Sequence, residues 1–190
     1  MNSKYKHELA VYLPLAFVGG FLEIYTYINM SGLFANAQTS NLVLLFNGLL
    51  SDNIPSAVYC VMPVILYILG ITVTELIPKK MRDPSVRWPE YCVLIEAVCM
   101  AGVALCPKII PARVSALPVF FLTAMQYNTF KSMQGQGVST VFCTNNLRQA
   151  VIHFWRWKEK KDGAQASMFV SSACLSSASS PVFPSAISGA

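Results

Sequence analysis

Glu23 is the residue of this chain best placed to do chemistry: a carboxylate in the middle of an apolar run, VYLPLAFVGGFLEIYTYINM over residues 11–30. At membrane depth an unpaired charge costs at least ~2.5–3.5 kcal/mol, so an acid there is protonated, paired or wet. Two readings stand side by side. In one, Glu23 couples to protons or touches a cation, with Tyr25, Tyr27 or Gln126 as neighbours. In the other it is a structural partner of Arg148, the arginine lying well inside an apolar window. Glu96 is a second acid of the same kind, and Glu75 stands near a helix end beside Lys79, where it snorkels or pairs.

The run Asn36-Ala37-Gln38-Thr39-Ser40-Asn41 interrupts the apolar window 33–50. In hydrocarbon every donor and acceptor must find an internal partner, so a stretch this polar faces other helices, water or a loop end. Thr39 and Ser40 are good N-cap types, and a half-helix starting here would aim its amides into the protein. The same pattern returns 105 residues later: Thr39-Ser40-Asn41-Leu42 corresponds to Thr144-Asn145-Asn146-Leu147, Glu23 falls opposite Asn128, and Tyr25 opposite Phe130. Paired polar breaks in two repeats are what transporter folds show, with helix starts offered to anions and side-chain oxygens to cations or hydroxyls. The plainer reading is that Thr39, Asn41, Thr144 and Asn146 let helices pack and hydrogen-bond across them, at ~0.6 kcal/mol each.

Other chemistries find little support. Cys92, Cys99 and Cys106 recur every seven residues and share a helix stripe, but there is no CxxC pair and no nearby histidine. Small apolar packing residues are the expected role, and no metal or other cofactor is implied. His7 lies in the N-terminal arm and His153 at a helix end, so no nucleophile–histidine constellation forms and no enzyme is expected. Gly135-Gln136-Gly137 reads as a loop rather than a phosphate cradle. His153, Trp155 and Trp157 read as an interface anchor beside a basic run.

These residues need helices to hold them. Hydrophobic residues make up 54% of the 190 positions and charged residues 12%, about half the share in soluble domains. The charges gather at 4–8, 79–90, 108–113 and 156–162. The net charge of +5 belongs to basic residues flanking apolar runs, which fits membrane edges and argues against nucleic acid. A spanning helix needs ~20 mostly apolar residues. Six windows qualify: 11–30, 33–50, 55–77 with a kink at Pro63, 91–107, 112–130 and 138–155. Trp88 and Tyr91 suit the interfacial belt where the fourth begins. The fold class is an all-α polytopic transmembrane bundle of about six spans. Residues 1–162 form the membrane domain, with repeat one over about 11–77, a linker helix over about 91–107 and repeat two from about 112. The Ser/Ala-rich tail 163–190 is a weak last helix, a disordered end or an altered terminus. With a cytoplasmic N-terminus, the basic residues lean inside, eight against five.

On these residues the chain resembles the YoaK-like family of small bacterial integral membrane proteins, whose biochemical function is unassigned. The resemblance is carried by GGFLEIYTYINMSGLFANAQTSNLVLL (19–45) and MQYNTFKSMQGQGVSTVFCTNNLRQA (125–150), and covers about residues 10–160. The family pattern has an acid in the first helix, F-A-N-x-Q-T-G-N, and a later T-G-N-L. Its glycine is Ser40 in the first copy and Asn145 in the second.

The leading expectation is a multi-pass protein of the cell membrane that carries a small solute or ion. Its substrate-binding residues would be Glu23, Gln38, Thr39, Asn41, Asn128, Thr144 and Asn146, in a polar site near the midplane. The rival is a non-transporting structural or assembly protein whose polar motifs are packing contacts. Expected partners are the lipid bilayer, a small solute or ion, and further copies of the chain.

Overall fold

The computed structural model describes residues 3–81, 83–105, 112–133, 136–161 and 163–178; Cys106, Lys108, Arg82 and the tail beyond 178 lie outside them, as do the side chains of Lys4, Lys6 and Arg113. The described chain is all-α. In order come α1 (Ser3–Asn29), α2 (Gln38–Leu50), α3 (Ile54–Tyr59), α4 (Val61–Leu76), α5 (Pro84–Leu105), α6 (Ala112–Ser115), α7 (Leu117–Thr129), α8 (Cys143–Lys160) and α9 (Gly163–Ala178). A two-residue antiparallel hairpin, β1 (Ser132–Met133) with β2 (Gln136–Gly137), precedes α8. Gln136 and Gly137 therefore form a strand rather than plain loop.

Three helical stretches are long and apolar enough to cross a membrane: His7–Asn29, Ile54–Lys80 and Arg87–Leu105. Their outward faces are apolar, as at Phe17, Ile68, Leu69, Leu94 and Val98. A soluble surface rarely carries so much contiguous hydrocarbon; a bilayer accepts it.

Several windows resolve differently from their sequence expectation. Residues 33–37 are not helical, so the second window shrinks to the 13-residue α2. At 1.5 Å per residue this is about 20 Å, short of the ~30 Å hydrocarbon core. The third window breaks at Cys60 rather than kinking at Pro63. Pro63 sits in the first turn of α4, where its missing N–H would have no intrahelical acceptor, and its ring excludes a helical carbonyl four residues back. The fourth helix starts at Pro84, seven residues before the expected 91. The sixth window, 138–155, starts its helix only at Cys143. It continues through Arg156, Lys158 and Lys160, so α8 is amphipathic rather than uniformly apolar. Residues 163–178 of the tail form α9, which packs along α8.

The chain divides into two compact units, the division falling within α1. One comprises residues 1–21 and 132–190, the other Leu22–Lys131. In the first, Ala16, Met133, Val138 and Leu175 form the core, flanked by Leu9, Tyr12 and Leu13. In the second, Met30, Leu33, Cys60, Ala116 and Phe120 do so. Within that second unit α4 and α7 approach closest at Gly70, where an added Cβ would stand 2.5 Å from the Phe121 carbonyl oxygen and 2.8 Å from the Ala124 Cβ.

Candidate functional site

In the unit Leu22–Lys131, α1 ends where Ser31 and Gly32 turn left-handed, at φ 56° and 85°, and the Gly32 N–H bonds back to the Tyr27 carbonyl. Glycine adopts that backbone freely, which suits a helix stop. The chain then runs unwound from Leu33 to Ala37 before α2 begins at Gln38. The α2 N-cap residue, Ala37, has no side-chain acceptor of its own. Glu23, half-buried one helix away, meets the backbone just before it: its Oε2 accepts the Asn36 N–H at 2.7 Å. A carboxylate at the positive end of a helix is favourable, since orphan amides and dipole both point at it. Tyr67 of α4 stands within electrostatic reach of Glu23 and of Tyr127.

Asn41, fully buried on the first turn of α2, folds back on the same segment. Its Oδ1 accepts the Phe34 N–H at 2.8 Å, and its Nδ2 donates to the Phe34 carbonyl at 2.8 Å and to Gln38 Oε1 at 2.9 Å. One side-chain amide thus replaces both partners that Phe34 lost by leaving the helix, which a buried backbone must find somewhere. Gln38 Nε2 donates to the Ala35 carbonyl at 3.0 Å, and Thr123 of α7, buried, donates to that same oxygen at 3.1 Å. Thr39 is exposed. Asn128 is turned elsewhere: its Nδ2 donates to Thr74 Oγ1 at 2.8 Å and Glu75 Oε1 at 2.9 Å, tying α7 to α4.

In the unit of residues 1–21 and 132–190, Asn146 repeats the clamp. Its Oδ1 accepts the Ser139 N–H at 3.0 Å and its Nδ2 donates to the Ser139 carbonyl. Ser139 lies seven residues before Asn146, as Phe34 lies before Asn41. Both pairs, and the starts of α2 and α8, are 105 positions apart. Here the acceptor is local, for Ser139 Oγ accepts the N–H groups of Val141 at 3.2 Å and Phe142 at 2.8 Å, just ahead of α8. Gly19 of α1 lies against this segment so closely that an added Cβ would overlap the Thr140 carbonyl oxygen. Thr144 is exposed.

Of the expected site residues, Glu23, Gln38 and Asn41 thus converge on one unwound segment. Asn128 sits in the same unit on a different contact, and Thr144 and Asn146 belong to the other unit. The two threonines bind nothing in the backbone framework, whereas the two asparagines are committed to it. Thr123, Ser139 and Gly19 complete these arrangements and were not singled out by residue type. Arg148 is exposed, and Glu23 accepts a backbone amide. Two anchors are corrected. Trp88 is only 6% exposed and its indole N–H donates to Thr129 Oγ1 at 3.0 Å, so it is a packing residue rather than a belt residue. His153 is buried, its Nδ1 donating to Gln165 Oε1 of α9 at 2.9 Å, while Trp155 and Trp157 remain exposed. Cys92 is buried on the stripe with Trp88 and Glu96, as a small packing residue would be.

Residues 11–187 match the model of a family described as a protein of unknown function, DUF1275. No curated protein and no solved structure matches the chain.

Proposed function

The chain belongs to the DUF1275 family, a family of unknown function, and from that premise we propose that it is a multi-pass protein of the bacterial cell membrane that moves a small solute or ion past Glu23. The observation that carries this reading is the Glu23–Asn36 contact. An acid on a helix apolar enough to span closes onto the unwound start of a helix too short to span. Interrupted helices with exposed amide ends are the places where transporters hold ions and polar solutes, and an intramembrane acid is costly to keep without a use. Membership is consistent with the YoaK-like resemblance of the two motif blocks.

In this reading Asn41 and Asn146 are framework. They hold the unwound segments in shape, and Glu23 is the group that exchanges a proton or meets a cation. No covalent step is involved, and no catalytic residue is assigned.

The test is flux through proteoliposomes of the full chain under an imposed pH gradient, read with a pH-sensitive dye and a panel of labelled cations and small polar solutes. Glu23→Gln keeps an acceptor for the Asn36 N–H, so the protein stays folded, and flux is expected to fall at least about ten-fold, the effect of losing ~1.4 kcal/mol in the rate-limiting step. Flux equal to that of the unsubstituted protein would remove Glu23 from the site.

The double use of the asparagine clamp favours a second reading, a non-transporting structural or assembly protein. There, substituting Asn41 and Asn146 together would lower stability or oligomerisation, and no solute on the panel would move in any variant.

A further inference from the structure

We propose that the groove between α8 and α9 binds a phospholipid with an anionic headgroup, its acyl chain lying along the groove and its phosphate meeting the cations at the C-terminal end of α8. The groove holds about 460 Å³, within the range of ligand pockets, and its walls are mostly carbon, with Ser176 and Ser177 of α9 as the polar lining. Leu147, Val151, Phe154 and Trp155 line it from α8, Phe169 and Ala173 from α9. From Leu147 to Trp155 it follows the helix for two turns, about 12 Å.

The periodicity of α8 explains why the groove is left open. Asn146, Ala150 and His153 form the buried stripe. The adjacent stripe, Leu147, Val151 and Trp155, is apolar yet 55%, 51% and 52% exposed. In water such a stripe would be a liability. Next to lipid it is the face an amphipathic interfacial helix buries among acyl chains.

The charges select the headgroup. Arg156, Lys158, Lys160 and Lys161 follow the stripe and are exposed, against the two acids Glu159 and Asp162 of the same run. Cations at a helix C-terminus are commonplace, because they complement its dipole. Lys158, however, leans back toward the groove: its Nζ stands 4.9 Å from the centre of the Trp155 ring, which is part of the groove wall. A cation held over an aromatic wall at the mouth of a hydrocarbon slot matches a phosphate attached to an acyl chain. Basic clusters of this kind favour anionic over zwitterionic lipid.

The test uses the full chain in mild detergent, with native mass spectrometry of adducts formed by phosphatidylglycerol or phosphatidylcholine of identical acyl chains. Phosphatidylglycerol is expected to be retained at least about five-fold more, the worth of one surface lysine. Replacing Lys158, Lys160 and Lys161 by Gln, all exposed and harmless to folding, brings the ratio toward one. Ala173→Leu, or Ser177→Met should the first fail to fold, fills the groove and lowers retention of both lipids. Three outcomes overturn the proposal. One is equal retention of the two lipids by the unsubstituted protein. Another is groove-filled variants that retain phosphatidylglycerol fully while inorganic phosphate displaces it, which would make the site a phosphate patch without the groove. The last is groove filling that changes only the monomer–dimer balance, which would assign the groove to a second copy of the chain.

Discussion

Around Asn41 the unwound segment is held by side chains from several helices: Glu23 of α1 at the Asn36 amide, Thr123 of α7 and Gln38 at the Ala35 carbonyl. Around Asn146 the segment satisfies its own amides through Ser139, and α1 contributes the absence of a side chain at Gly19. The amide clamp is common to both, reaching back seven residues each time. The acid is not. Its counterpart 105 residues on, Asn128, is spent on Thr74 and Glu75. The shared asparagine is therefore a device for keeping an unwound backbone satisfied, while the acid belongs to the first block.

The largest effects should come from the clamps themselves. Asn41→Ala or Asn146→Ala strips a buried N–H and a buried carbonyl of their partners, at about 1–3 kcal/mol per group, so each is expected to cost roughly 2–4 kcal/mol. Thermal unfolding in detergent reads this. Asn41→Ala should be the worse, because Gln38 loses a partner too. Asparagine-to-aspartate at either site keeps the acceptor and forfeits the donor, and should fall between. A change at 41 that proves as mild as one at an exposed position would break the equivalence of the blocks.

Gly19→Ala comes next. The new methyl meets the Thr140 carbonyl, and overpacking of this sort costs about 1–3 kcal/mol; a melting temperature unchanged from that of the parent would show that the second segment is not pressed against α1. Ser139→Ala leaves the Val141 and Phe142 amides ahead of α8 without their acceptor and should cost about 1–3 kcal/mol, measured as an earlier melt. Smallest are Thr39→Ala and Thr144→Ala. Both hydroxyls are exposed, so each should stay within about 0.5 kcal/mol of the parent. A large fall from either would return the threonines to the site.

Helix-forming segments were legible because hydrocarbon and charge separate cleanly along the chain, and the two clamps because asparagine recurs at matching positions inside apolar windows. What escaped was the part built across sequence distance. Nothing in the neighbourhood of Thr123 announces a bond to Ala35, 88 residues away, and Trp88 reads as an interface residue until its indole is seen on Thr129. The break at Cys60 was misplaced to Pro63 because a proline disturbs the turn before it. α8 read as a span because its apolar stripes were counted together, although one faces α9 and another stands exposed. α9 has too many serines to announce itself, and its helix rests on packing along α8 and on hydroxyls bonding back to carbonyls within its own turns, as Ser171 does to Ser167.

The seam at Gly70 has a mechanical consequence. Two helices pressed until only a hydrogen atom fits between them cannot slide, roll or part without first losing that fit, so α4 and α7 travel as one lever. Thr123, between the seam residues Phe121 and Ala124, grips Ala35 at the lever's side, and Asn128 fastens its far end. Within this unit the unwound strap Leu33–Ala37 is thus held against a tightly fitted helix pair.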